Sequence, residues 1–319
     1  MTAAFTLDSV KVLHLEPTTI CNASCPQCAR VYPELYNPAI HQSSLTLEFL
    51  QDVLPETFIA QLDKMFMCGN FGDPAAATDT IKIFQWFRQI NPKITLGINT
   101  NGSIRSEQWW GKLASIFSHP EDFAVFSIDG LKDTNHIYRV NVQWEKVMRN
   151  AAKFISSGGN AHWDMLVFRH NEHQVKEAEE LARSMGFRYF RSKVTRRMAA
   201  QPVSWLSLPD GYAAPVSNPS KTIDCHALKE ASVFIAANGV CLPCCFMGSK
   251  IFDDTSPLCK LINMNELDLR KHSLDDVFSK FTAFSNTWAD NPFIVCQSTC
   301  GVSSSKSAFE QQWRNEIEL

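Results

Sequence analysis

The 319-residue chain is 45% hydrophobic and 20% charged, with a formal net charge of −3, the balance of an ordinary globular protein and no support for a general polyanion-binding role. At this length it holds one large α/β domain, or a domain of about 200 residues with a smaller unit beside it. Its start, MTAAFTLDSVKVLHLEP, has no basic stretch leading into an apolar run, and nowhere do about 18 apolar residues follow one another, so neither a secretory signal nor a membrane span is expected.

Eleven cysteines stand in this chain. A reducing cytoplasm, the expected location, keeps thiols free, and a core of this size needs no disulfide staples. Metal ligation is therefore the leading explanation.

Along the chain, short β-branched or apolar runs alternate with longer amphipathic stretches. The strand-like runs are VKVLHLE, KMFMCG, KITLGINT, FAVFSID, WDMLVF and FRYFRSKV, between which lie helical patterns such as DTIKIFQWFRQI and EHQVKEAEELARSMGF. For the last helix the sequence predicts a cap at Asn171 with Gln174 three residues on, and a left-handed C-terminal residue at Gly186. Six strand-then-helix units imply parallel strands, with ligands gathered at the strands' C-terminal ends.

Directly after the first strand comes TTICNASCPQCAR, with Cys21, Cys25 and Cys28 spaced C-x3-C-x2-C. Zinc wants four ligands, and a fourth local Cys or His is missing here. A four-iron cluster held by three cysteines leaves one iron open; three buried or zinc-binding thiols are the alternative.

The loop resembles the defining motif of the radical S-adenosylmethionine superfamily. The resemblance implies a partial (β/α)6 barrel over residues 1–200 and a [4Fe-4S] cluster whose open iron chelates S-adenosylmethionine. It also implies reductive cleavage to a 5′-deoxyadenosyl radical that abstracts hydrogen from substrate, with an electron donor such as flavodoxin or ferredoxin as partner. CGNFGDP, after the second strand, is similar to that family's Gly-Gly-Glu motif. Gly72 and Asp73 match its last Gly and its acid, Asn70 and Phe71 depart from it, and Asp73 is expected to meet the methionine amino group. Thr100 and Asn101 of TNG, Ser127 and Asp129 of SIDG, and Arg139 look like the elements that line the ribose and carboxylate of the cofactor. By charge logic Arg139 suits the carboxylate, and Ser127 and Asp129 suit the ribose hydroxyls.

Residues 201–220 are rich in Pro, Ser and Gly and read as a linker or a loop over the barrel mouth. Residues 221–319 hold seven of the cysteines. ASVFIAANGVCLP reads as a β-hairpin turning at Asn238-Gly239, which brings Cys225 and Cys244 to one end. The spacing of Cys225, Gly239 and Cys244 resembles the hairpin of the auxiliary-cluster extensions called SPASM and twitch. A second dense cysteine run is absent, so the resemblance implies a twitch-like domain with one auxiliary [4Fe-4S] cluster on Cys225, Cys244, Cys296 and Cys300. Cys241 and Cys245 compete for these places, although Cys245, next to a ligand in a strand, is expected to point the other way. A structural zinc site is the alternative. Cys68 and Cys259 read as buried inert thiols, with a second reading for Cys68 as a hydrogen donor to a substrate radical.

The expected activity is modification of a peptide or protein by hydrogen abstraction, giving a cross-link, an oxidation or an epimerised residue. The runner-up is a dehydrogenase of a small polyol or aminocyclitol. A third reading, RNA or phosphate binding through RYFRSKVTRR (Arg188, Arg191, Lys193, Arg196 and Arg197), is set against a solvated strand face, which is preferred; no nucleic-acid or membrane partner is expected.

Overall fold

The computed structural model describes residues 5–31, 37–198, 201–212, 220–252, 256, 263–288, 290–302 and 316–319. Cys259 and residues 213–219 of the predicted linker lie outside them. Six strands stand side by side in chain order, each parallel to the next: β1 (Val12–Leu15), β2 (Lys64–Met67), β3 (Thr95–Thr100), β4 (Phe123–Ser127), β5 (Ala161–Val167) and β6 (Tyr189–Val194). All six predicted runs are strands, and their common direction puts every C-terminal end on one side.

The helices Thr80–Ile90, Glu107–Ile116, Trp144–Ser156 and Val175–Met185 carry the chain back between successive strands. Trp144–Ser156 buries Val147, Asn150, Ala151 and Phe154, the spacing of one helical face turned to a sheet. Trp110 packs edge-on to Phe154 and at 5.1 Å from Phe126, so helix and strand share one aromatic cluster.

Val175–Met185 ends, as predicted, on Gly186 at φ +86°. Its start differs from the sequence expectation. Asn171 and Gln174 form no capping box and belong instead to a short 3-10 turn, Glu172–Gln174. The Asn171 amide donates to the Asp129 and Leu166 carbonyls, and the Gln174 oxygen accepts from Leu131 N. Both buried side chains satisfy the loop after β4, where unmet polar groups would cost more than an absent cap.

The second cysteine-rich segment joins the same sheet. β7 (Ser232–Ile235) lies parallel to β1 and turns into β8 (Cys241–Leu242), with Phe234 opposite Leu242. Gly239 at φ +82° makes the predicted turn. At the far edge β9 (Glu316–Glu318) pairs antiparallel with β6, completing nine strands in the order β8-β7-β1-β2-β3-β4-β5-β6-β9. Phe278 and Phe281, from the C-terminal helices, pack edge-on against Phe58 and Phe5, which seals this segment to the barrel with apolar contact. No helix among the described residues is long and apolar enough to cross a membrane.

Candidate active site

The chain ends of β1 to β6 surround a cavity of about 330 Å³, a size suited to a small ligand. Cys21, Cys25 and Cys28 line one part of it, joined by Cys68, Asp73, Thr100, Asn101, Ser127, Asp129 and Arg139. The loop after β1 is fixed by polar bonds to the end of β3. Asn22 donates to Ser103 Oγ at 2.8 Å, Asn101 Nδ2 donates to Asn22 Oδ1 at 2.8 Å, and Asn101 Oδ1 accepts from Ser103.

Two of the three sulfurs have donors aimed at them. The Ala23 amide and Asn101 Nδ2 approach Cys21 Sγ at 3.3 and 3.6 Å, and Arg139 Nη1 approaches Cys25 Sγ at 3.8 Å. Burial pushes the Cys21 thiol up to about 12, with the Asp73 charge adding to it. Burial also raises Cys25, against the pull of Arg139. Thiols so placed ionise only when a cation such as iron offsets the lost solvation.

Among the described residues, no three Cys, His, Asp or Glu side chains converge on a single point where one ion would sit. Zinc requires four donors around one centre. Three cysteines on one loop, with charge-stabilising donors behind two of the sulfurs, suit a four-iron cluster in which each thiolate takes a different iron.

Asp73 is buried where the loop after β2 meets β3. Its carboxylate accepts from Ala75 N at 2.9 Å, Thr100 Oγ1 at 2.9 Å and Asn101 N at 2.7 Å. A carboxylate offers about four acceptor positions, so three donors leave room for one more. Gly72 is required here by close approach, because a Cβ would stand 1.9 Å from the Thr18 carbonyl oxygen. Asn70 and Phe71 have packing roles. Asn70 donates to the Cys245 carbonyl at 2.9 Å, and Phe71 is buried edge-on to Phe252.

Asp129 and Arg139 form a buried pair at 2.6 Å, and the second Asp129 oxygen accepts from Leu166 N at 2.6 Å. Burial works against the Arg139 charge, but Asp129 outweighs it and the guanidinium pKa is raised. The Asp129 carboxylate is therefore taken up by Arg139 and Leu166 N instead of being open to the ribose hydroxyls expected of it, and Arg139 lines the cavity. Ser127 lines the cavity directly.

Several site residues were not singled out by sequence reading. Glu16 ends β1 wholly buried. One oxygen accepts from Phe71 N at 2.6 Å and Gly72 N at 3.4 Å, while among the described residues Oε2 has no hydrogen-bond partner. Burial raises its pKa to about 7, offset in part by those amides. A charged residue closing an apolar strand was the available signal. Asp164 on β5 is another, meeting Arg191 at 2.9 Å and Lys193 at 2.6 Å.

That pairing corrects the reading of the basic run. Arg191 is 7% exposed and Lys193 lies 2.6 Å from Asp164, so these two face the barrel interior, whereas Arg188 is 39% exposed and Arg197 is exposed at the mouth of the cavity that it and Arg196 line. The buried Asp164 carboxylate draws Arg191 and Lys193 inward. Residues 201–212 run beside this edge, where Gln27 donates to the Gln201 carbonyl at 3.0 Å and Arg169 N to the Ser207 carbonyl at 3.0 Å.

Cys225, Cys244, Cys296 and Cys300 line a second, small apolar pocket walled by Phe246, Phe281 and Trp288. An S–H···S hydrogen bond between Cys225 and Cys300 holds Cys225 below and Cys300 above the ordinary thiol range. Burial raises Cys244 to about 12 and Cys296 to about 11. Four thiols without His or carboxylate in an apolar wall are the donor set of a thiolate-held iron–sulfur cluster and equally of a four-cysteine zinc site. Cys241 is fully buried on β8 and lines neither pocket. Cys245 lies near Cys68 and Glu16. The strand alternation expected for Cys245 does not apply, because Cys244 is the N-cap of the short helix Cys245–Gly248; Cys244 lines the second pocket and Cys245 does not. Cys68 lines the main cavity, and burial, with the nearby Glu16 charge, pushes its thiol up to about 12.

No protein-family profile matches the sequence, and no curated protein matches it. Solved structures do resemble the fold. Streptococcus suis SuiB bound to the precursor peptide SuiA superposes with a TM-score of 0.62 at 14% identity over 94% of this chain and 74% of that one. Native anSMEcpe with bound AdoMet and the Kp18Cys peptide gives 0.55 at 12% identity over 95% of each. A further SuiB structure gives 0.52 at 16% identity over 75% of this chain but only 61% of that one, so in that comparison this chain spans less than two thirds of its neighbour. Two of these neighbours were solved with a peptide bound, and one of those two also with AdoMet.

Proposed function

We propose that this chain, which has the radical S-adenosylmethionine fold, generates a 5′-deoxyadenosyl radical and uses it to take hydrogen from a carbon of a peptide or protein. The product is a cross-link, an oxidised residue or an epimerised one. The observation carrying this reading is the meeting, in one cavity, of three thiols without a fourth local ligand, a braced acid and a braced guanidinium.

When bound and reduced, as by a flavodoxin or ferredoxin, a [4Fe-4S] cluster with one open iron supplies the electron that cleaves S-adenosylmethionine. Cys21, Cys25 and Cys28 hold it, with the Ala23 amide, Asn101 and Arg139 stabilising charge on two of the sulfurs. Asp73 uses its remaining acceptor position for the methionine amino group. Arg139, oriented by Asp129, uses its free N–H groups for the carboxylate. Ser127 meets the ribose, while Thr100 and Asn101 hold Asp73 in place. Cys225, Cys244, Cys296 and Cys300 are assigned to one auxiliary [4Fe-4S] cluster, whose chemistry is one-electron transfer. Cys68 keeps its proton at neutral pH, the state a thiol needs to return a hydrogen atom.

A peptide substrate is favoured over a small molecule because SuiB and anSMEcpe, with which the fold superposes along most of its length, were solved with peptides bound. The test is anaerobic reconstitution followed by S-adenosylmethionine and dithionite. Wild type is expected to form 5′-deoxyadenosine and Cys25→Ala to form none; equal yields from both would refute the assignment.

A further inference from the structure

We infer that the β6 side of the cavity is a carboxylate-binding subsite, and that the substrate presents an acidic side chain or a C-terminal carboxylate there, beside the carbon that loses hydrogen. The substrate class rests on the peptide-modifying reading above; the anion site itself does not.

The β6 strand and the residues after it supply Lys193, Thr195, Arg196 and Arg197 to the cavity wall. This wall adjoins the three-cysteine loop, since Thr195 Oγ1 donates to Gln27 Oε1 at 2.9 Å and Arg197 Nη1 to the Gln27 carbonyl at 2.7 Å. Lys193 is 21% exposed and is fixed at 2.6 Å from Asp164. Asp164 is shared with Arg191, which also meets Glu316 at 3.6 Å. Arg197 is exposed at the mouth, and among the described residues it has no carboxylate within ion-pair reach. Arg196 and Arg197 are adjacent in the chain and both line the cavity.

Of the other cavity acids, Asp129 is taken up by Arg139, and Asp73 is bonded to neutral donors at the ends of β2 and β3. Like charges are gathered on one wall of a confined space, where an incoming anion is attracted more strongly than in open water. Cys68 lines the same cavity as Lys193 and Arg197, so the cationic wall and the thiol face one space. The presence of Asp164 beside Lys193 favours a singly charged carboxylate over a doubly charged phosphate.

Three dye-labelled pentapeptide probes test this on the reconstituted protein with S-adenosylmethionine bound: Gly-Gly-Glu-Gly-Gly amide, Gly-Gly-Gln-Gly-Gly amide, and the Gln peptide with a free C-terminal carboxylate. Fluorescence anisotropy at low salt is expected to give the Glu amide or the free-carboxylate probe at least tenfold tighter binding than the neutral one. Which of the two prevails identifies a side chain or a chain end. Arg197→Gln, at an exposed position, and Lys193→Met are each expected to weaken the preferred probe several-fold while iron content stays at the wild-type level. Equal binding of charged and neutral probes, including no measurable binding of any, overturns the inference. Deoxyadenosine formed by the same wild-type preparation is scored separately: its absence with charge discrimination intact refutes the radical reading alone, and its presence without discrimination refutes this subsite alone.

Discussion

Among the described residues one oxygen of Glu16 has no hydrogen-bond partner, and the consequences are local. Buried, with amides of Phe71 and Gly72 on the other oxygen, it titrates near 7 when folded against about 4.5 when unfolded. Below the lower value both states are protonated and the residue is neutral to stability. As pH rises from about 4.5 to 7 only the unfolded chain ionises, so folding is progressively penalised, and the penalty is complete above the folded value. At about 1.4 kcal/mol per pKa unit this amounts to roughly 3 kcal/mol. Glu16→Gln, which keeps an oxygen for Phe71 N, is expected to raise the melting temperature at pH 8 by several degrees and much less at pH 5; an equal shift at both would contradict the account. The Asp129–Arg139 pair makes the opposite case. Asp129→Asn leaves a buried guanidinium underpaired, an effect on the order of 3 kcal/mol, and is expected to weaken S-adenosylmethionine binding at least tenfold by calorimetry. Wild-type affinity in that variant would remove Arg139 orientation from the mechanism.

Strands and loops differ in how much of them could be read in advance. The six barrel strands were legible because parallel strands covered on both sides are short continuous apolar runs, and the helix Val175–Met185 was legible from its period and from Gly186. The hairpin at Asn238-Gly239 was legible from its turn residues, but its pairing with β1 was not, since which edge a strand joins is decided by tertiary packing. Likewise Lys193 and Arg191 read as surface charges until Asp164, 27 residues before Arg191 in the chain, is brought alongside. The candidate site was legible where one loop carried a spacing and opaque where two elements meet. The loop after β2 shows both. Its Gly72 fits a motif, but the reason for glycine is the carbonyl of Thr18. Gly72→Ala is expected to displace that loop and lower S-adenosylmethionine affinity at least tenfold with iron content unchanged; calorimetry on the reconstituted variant checks this, and undiminished binding would contradict it.

At the scale of the whole molecule, one continuous sheet carries two separate cysteine sites. The first opens to the cavity at the strand ends, and the second is enclosed by Phe246, Phe281 and Trp288 beyond β8. Cys245, its carbonyl bonded to Asn70, lies on the protein between them. The division of labour rests on each site holding its own four-iron cluster. The most direct measurement is iron and acid-labile sulfide per chain after anaerobic reconstitution, in wild type, in the Cys21/Cys25/Cys28→Ala variant and in the Cys225/Cys244/Cys296/Cys300→Ala variant. The account predicts about eight irons in wild type and about four in each variant. About four in wild type with no loss in the second variant would remove the auxiliary cluster, and zinc in place of iron at the first site would contradict the central claim.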